Sequence, residues 1–200
     1  MAHRNSCCRP RCRASRSRRS RRSISAAGWQ RCVSRAFGFP RGALLGAAAD
    51  AADQVERQLQ VALALQCAET VGVTDRALEF TLEWVKERYA FNRPIGSFQG
   101  LKHRLADHAA QLEGAKAVAA HAAKAVQAGA PDAAIAVSVA KSHCGRFATE
   151  IIRDCVQMHG GIGVTWEHDI HFYLRRAVSN EQLWGTPAVH HERLCRIAGL

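Results

Sequence analysis

Three stretches of this 200-residue chain hold side chains able to do chemistry. In "ERYAFNRPIGSFQGLKHRLAD", residues 87–107, Arg88, Arg93, Lys102 and Arg104 cluster about a break between two apolar-periodic segments. An arginine at one helix end, facing the free backbone N–H groups that begin the next helix, suits an anionic phosphate. The alternative is a solvated basic corner. In "VQMHGGIGVTWEHD", residues 156–169, Gly160, Gly161 and Gly163 either stop a helix or let backbone approach something that is not protein. In "NEQLWGTPAVHHERL", residues 180–194, Gly185, Thr186 and Pro187 lead into a helix whose N-terminus is a further anion-friendly end. The histidines offer no metal site: His168 and His171 are three apart and His190 and His191 adjacent, but there is no HExxH and no carboxylate at metal spacing. They read as surface or helix-end histidines.

The elements that position these stretches are helical. From Gln54 onward, Val61, Leu65 and Ala68, then Leu78, Leu82, Val85 and Tyr89, recur at helical spacing. This predicts one amphipathic helix of about 35 residues, roughly 50 Å long. It should stop at "NRPIG", where Pro94 disfavours helix at Arg93 and Gly96 permits a turn. Ser97 is a fair N-cap for a second helix carrying Phe98, Leu101, Leu105 and Leu112 and ending near Gln127. Pro131 and Asp132 open a third, with Ile135, Val139, Ile151 and Cys155 inward, ending at His159-Gly160. A fourth lies around Ile170 to Val178, and Pro187 opens a fifth, Ala188 to Ile197. "YLRRA", with Tyr173, Arg175 and Arg176, should fix the fourth helix against its neighbours or a subunit partner. Trp84 and Trp166 read as packing anchors. Long helices with short breaks give an all-α, antiparallel four-helix bundle over residues 54–200. "RGALLGA", residues 41–47, is a candidate strand within a linker ending at 53.

Charge is divided along the chain. Residues 1–40 hold 11 arginines and no acid, so they supply the whole net charge of +11, and the remaining 160 residues carry 17 basic and 17 acidic side chains. Such a tail predicts disorder. Its Arg and Ser bias fits an organellar transit peptide, a nucleic-acid-binding arm, or a GC-rich gene read out of register or from a wrong start. An arm would bind with steep salt dependence, lost when residues 1–40 are removed. Cys67, Cys144, Cys155 and Cys195 form no CxxC and lie in helical patterns, which implies small buried thiols and a reducing cytoplasm. No apolar run reaches the ~18 residues of a membrane span.

Together, "RYAFNRPIGSFQGLKHRLAD" and, about 50 residues later, "QMHGGIGVTWEHDIHFYLRRA" strongly resemble the C-terminal helical domain of the acyl-CoA dehydrogenases, FAD-dependent flavoenzymes. The resemblance covers about residues 42–200. It is closest to bacterial members reading "FGRPIGSFQ" and "HGGIGFTWEHD". It implies a bundle that forms the core of a tetramer, with FAD lying partly across a subunit boundary. The N-terminal helical domain and most of the middle β-domain of the family have no counterpart here, so a truncated protein is expected, bacterial and cytoplasmic rather than mitochondrial.

The resemblance also assigns residues. Arg88 matches the arginine that reaches the neighbouring subunit's FAD pyrophosphate. Phe91, Phe98 and Gln99 match positions lining the cofactor, Gln157 through Gly161, including Gly160 and Gly161, match the backbone that passes the dinucleotide, and Thr186 matches a contact beside the flavin. The implied reaction is α,β-dehydrogenation of an acyl-CoA thioester: a carboxylate removes the α-proton, hydride passes to flavin N5, and electrons go on to an electron-transfer flavoprotein. That needs a general base. Most members place a Glu in a "YEGT"-like motif before the last helix, but here the motif reads "QLWGT", with Trp184 at the Glu position. Others place it on the first long helix, near what is here Ala62. Glu181 lies three residues early, and Glu69 reads as a structural or solvated helix residue, leaving Glu181 as the remaining candidate. A chain without a catalytic base is expected, either inactive alone or acting as the FAD-holding, oligomerising subunit of a heteromeric enzyme. A fragment that only oligomerises is the further alternative, told apart by FAD retention.

Overall fold

The computed structural model describes residues 51–200. The expected basic tail with its nucleic-acid reading, the strand at 41–47 and most of the linker to 53 fall outside that range. The described chain forms α1 (Ala52–Glu87), a two-residue hairpin of β1 (Tyr89–Ala90) and β2 (Arg93–Pro94), α2 (Gln99–Ala128), α3 (Ala133–His159), α4 (Ile170–Gln182) and α5 (Pro187–Ala198). No helix among the described residues is long and apolar enough to cross a membrane.

Side-chain pairings fix the directions of the helices. Gln66 meets Lys141 and Trp84 meets His159, so α1 and α3 run the same way. Lys116 pairs with Asp75 and His108 with Asp154, so α2 runs against both. Glu69 meets Arg176 and Phe80 meets Tyr173, so α4 is also antiparallel to α1. The result is the expected up-down-up-down four-helix bundle, with α5 packed along α3.

The faces that α1 and α3 bury differ from those expected. Leu78 and Val85 are buried as expected, but Val61, Leu65, Ala68, Leu82 and Tyr89 are exposed, and Leu63, Cys67, Thr70, Thr74, Ala77 and Thr81 are buried in their place. The three threonines hide this face from an apolar count. Each donates its hydroxyl to the carbonyl four residues back, at 2.8 Å, so burying it leaves no polar group unpaired. On α3, Ile135 and Val139 are likewise exposed, while Ile151 and Cys155 are buried as expected. Alanines take the inner positions near the α3 start because one end of the bundle is packed tightly from small side chains: Ala115, Ala119 and Ala122 of α2 meet Ala136, Val137 and Ala140. The opposite end is built from larger ones, including Leu78, Leu105, Leu112, Ile151, Ile152 and Ile170.

The breaks are also more specific than expected. α1 stops at Glu87, ahead of Pro94, because the chain turns back through Phe91 and Asn92, both left-handed at φ 52° and 62°, and the Ile95 N–H then donates to the Arg88 carbonyl at 2.8 Å. Two successive left-handed residues match the twist of a tight hairpin. Ser97 is not the α2 cap: its hydroxyl donates to the Pro94 carbonyl at 2.7 Å, and Phe98 holds the cap position. Trp166 is no anchor, being 71% exposed, and Cys195 is an exposed thiol, while Cys67, Cys144 and Cys155 are buried and free.

Candidate functional site

The end of the bundle with the larger core side chains carries a groove of two lobes. One lobe, about 350 Å³, is lined by Phe91, Phe98, Leu101, Arg104 and Gln157; the other, about 390 Å³, by Trp84, Arg88, His159, Gly160 and Gly161. Ile95 and Met158 line both. The α1 end, the hairpin, the α2 start and the α3 end therefore bring Arg88, Phe91, Phe98, Gln157, Gly160 and Gly161 to one place. Gln99 is exposed on the first turn of α2 and lines neither lobe.

The charges here differ in availability. Arg104 is committed to Asp154, which also takes a hydrogen bond from His108 Nε2 at 2.7 Å. Burial alone would raise the Asp154 carboxyl, but His108 and Arg104 hold it below the usual carboxylate range. Arg93 lies over the Phe98 ring at 3.9 Å. Arg88 makes no ion pair among the described residues; its guanidinium sits 5.9 Å from the Trp84 ring. A free guanidinium beside a helix end is placed to grip an anion. Phe91 is 91% exposed at its left-handed turn, an apolar ring its own chain leaves uncovered.

The three glycines serve different ends. At Gly163 a Cβ would lie 2.8 Å from the Val156 carbonyl oxygen, so the fold itself excludes a side chain. Gly160 has φ 67° and ψ −144°, a conformation that L side chains avoid. Gly161 has neither constraint: a Cβ there would meet nothing within 4 Å. Its missing side chain keeps the lobe open and leaves backbone bare on the groove wall.

His159 and Trp84 complete this wall. His159 is 4% exposed, and its ring stacks on Trp84 with centroids 5.3 Å apart and planes 18° apart. Burial pushes its imidazole below the ordinary histidine pKa. Sequence reasoning had Trp84 only as an anchor and His159 only as a helix end. The available signal was Trp84 standing four residues before Arg88, on the same face of α1. The expectation of surface or helix-end histidines holds in part: His159, His171 and His190 lie at helix ends, though buried, while His108 is buried within the body of α2.

The remaining expected residues lie elsewhere. Thr186 caps α5, its hydroxyl oxygen accepting from the Val189 N–H at 3.4 Å, and it lines a separate groove of about 660 Å³ with Thr149, Arg153 and Glu181. The Glu181 carboxylate accepts from the Thr149 hydroxyl at 2.8 Å. Trp184 is left-handed at φ 62° and 53% exposed, and its carbonyl accepts from His190 Nε2 at 3.1 Å. Glu69 is structural, paired with Arg176 and accepting from Asn180 at 3.1 Å, which is also how "YLRRA" fixes α4. Nothing in the sequence marked Lys141. It is 2% exposed and donates to Gln66 Oε1 at 2.8 Å and to the Asn180 carbonyl, and burial brings its pKa down to about 8.

A family model described as "Acyl-CoA dehydrogenase, C-terminal domain" matches residues 52–198. Acyl-CoA dehydrogenase IpdE2 of Mycobacterium tuberculosis is 43% identical over 124 residues, 62% of this chain and 37% of that protein. A solved Tcur3481-Tcur3483 steroid ACAD variant superposes with a TM-score of 0.71 at 30% identity, covering 74% of this chain and 41% of that one. A structure of PigA with FAD and proline gives a TM-score of 0.67 at 27% identity, over 71% of this chain and 37% of that one. The chain thus spans less than half the length of these relatives. With its helices in that order and the family model matched from α1 to α5, the chain belongs to the acyl-CoA dehydrogenase family through the C-terminal helical domain of that family.

Proposed function

We propose that this chain is the FAD-holding helical part of an acyl-CoA dehydrogenase and supplies no catalytic base of its own. The observation that carries the reading is the two-lobed groove, in which an unpaired Arg88, two phenylalanines and a bare glycine backbone converge, while position 184 is a tryptophan. FAD fits the residues present. A pyrophosphate would meet the Arg88 guanidinium, a ring system would lie on Phe91 and Phe98, and the backbone at Gly161 admits a close approach. When bound, the flavin would accept hydride from the β-carbon of an acyl-CoA.

This chain's residues bind and orient but do not abstract. The Trp184 indole nitrogen only donates, and Ala62 has no polar atom. Glu69 is taken up by Arg176 and Asn180, and Glu181 is tied to Thr149 beside another groove. None of these four positions offers a free carboxylate for the α-proton, and on this proposal the base comes from another subunit. This favours a hetero-oligomeric assembly, tetrameric as in the family, in which a partner subunit supplies the base. Acyl-CoA would be the substrate and an electron-transfer flavoprotein the acceptor of that assembly.

The test is a titration of the purified chain with FAD, followed by an acyl-CoA oxidation assay with an artificial electron acceptor. Saturable FAD binding without turnover is expected. Turnover by the chain alone would overturn the missing base, and no FAD binding would overturn the flavin site.

A further inference from the structure

Arg93 belongs to the basic cluster at the corner between α1 and α2, which reads from sequence as a grip for an anion. Its surroundings do not suit that task. It lines neither lobe of the groove, whereas Phe98 lines one of them, and its guanidinium carbon sits 3.9 Å from the Phe98 ring centroid. It makes no ion pair among the described residues. At that separation a guanidinium rests on the ring, held by the negative charge of the π-face. Phe98 in turn meets Phe91 edge-on, with centroids 6.3 Å apart and planes 83° apart. The three side chains form one chain of contacts, in which both rings line the smaller lobe and the cation stands outside its lining.

These rings have little else to hold them. Phe91 is carried by a left-handed residue at the hairpin tip and is exposed, and Phe98 holds the cap position of α2, half-buried. Neither belongs to the packed core, so each keeps rotamer freedom that a ligand lying on it must remove. A contact that orders the rings beforehand lowers that cost. We infer that Arg93 is a positioning residue for the bound flavin nucleotide: it holds the Phe98 ring, and through it Phe91, in the orientation on which a ring system of the ligand lies. This rests on the flavin reading above and goes beyond it, because Arg93 is assigned to the aromatic wall and not to the phosphates. Arg88 grips charge, whereas Arg93 orders the surface beside it.

The experiment uses the full 200-residue chain and FAD. Arg93→Met keeps an unbranched stem and removes the cation, and a circular-dichroism melt should show its stability unchanged, since the side chain is exposed. FAD affinity is expected to fall about threefold, the size of one exposed cation–π contact. Arg93→Lys, which keeps a cation within reach of the ring, should recover part of that loss. Phe98→Leu should also weaken binding, and in its background Arg93→Met should cost nothing further. An arginine that touches the phosphates, or acts through its charge alone, would cost the same factor in both backgrounds, and that additivity would overturn the positioning role. A further readout needs no ligand: the aromatic 1H–13C signals of Phe98, assigned with Phe98→Leu, should shift in Arg93→Met, and unchanged signals would overturn the stack. If wild type binds FAD while Arg93→Met binds equally, the positioning role is wrong and the flavin reading stands. If wild type binds no FAD, the flavin reading falls and the positioning role with it, whatever the Phe98 signals show.

Discussion

Two corners of this molecule, each turned through positive-φ residues just past a helix end, are built differently. At the α3 end, Gly160 makes the turn and Gly161 leaves the wall of a groove bare, beside an arginine with no ion-pair partner among the described residues. At the α4 end, Trp184 and Gly185 make the turn at φ 62° and 106°, and the corner is pinned from inside: His190 donates to the Trp184 carbonyl and buried Lys141 to that of Asn180. The first corner combines the two-lobed groove with Arg88, which makes no ion pair among the described residues; the second lies beside the groove of Thr186 and Glu181. The second satisfies its own backbone and turns the Trp184 indole outward, 53% exposed. On the proposed function, binding belongs to the first corner and the missing proton removal to the second, each set by a different break between helices.

Four measurements sharpen or break that contrast. The largest effect belongs to Arg88→Met, which should weaken FAD binding by roughly tenfold to a hundredfold through loss of a charge-assisted contact. It should leave the melting temperature unchanged, as the side chain is exposed; a fluorescence titration and a melt read the two. Next is the glycine pair. Gly163→Ala should cost about 2 kcal/mol, or several degrees in Tm, because its Cβ is driven into the Val156 carbonyl. Gly161→Ala should leave Tm unchanged but weaken FAD binding; equal melting losses for both would remove the special status of Gly161.

The third concerns the pinned corner. Burial depresses Lys141 from its unfolded value of 10.5 to about 8. Between those limits the unfolded chain holds the extra proton, so this group destabilises the fold fully below pH 8, and the penalty is relieved as pH rises toward 10.5. Relative to Lys141→Met, wild type should gain on the order of 2 kcal/mol over that window, read as the difference between paired urea titrations at each pH. A flat difference would mean that the ammonium is not buried as described. Smallest is Trp184→Glu: the side chain is 53% exposed and the corner's bond comes from its carbonyl, so stability should move by less than about 0.5 kcal/mol. FAD affinity should not change, and a tenfold loss would join the two corners into one site.

The legible parts of the fold were its breaks. Pro131, Gly160 and Pro187 punctuate the chain through their own backbone preferences, so helix number and order could be read locally. The buried faces could not. Thr70, Thr74 and Thr81 are polar in sequence but bond to their own helix, and Ala136 and Ala140 are chosen for the closeness of α2, which no pattern within α3 reveals. Arg88, Gly160 and Gly161 stand out by residue chemistry and Phe91, Phe98 and Gln157 by motif resemblance, with no physical ground in the sequence for expecting Arg88 and Gly160 to line one lobe. The ring nitrogens of Trp84 and His159 that lie buried without a partner among the described residues were invisible, since an unpaired atom is defined by what fails to reach it.

By itself, then, the sequence determined where helices start and stop, the neutrality of residues 41–200, and the absence of an acid at position 184, because these depend on residue identity and short-range sterics. Only the tertiary structure decided which stripe of α1 is buried, that Arg104 is spent on Asp154 while Arg88 has no ion-pair partner among the described residues, that Lys141 lies within the bundle, and that His159 Nε2 is buried with no partner among them. Each of these depends on a partner 39 to 75 residues away, or on the lack of one, and such distances are set by packing rather than by local preference.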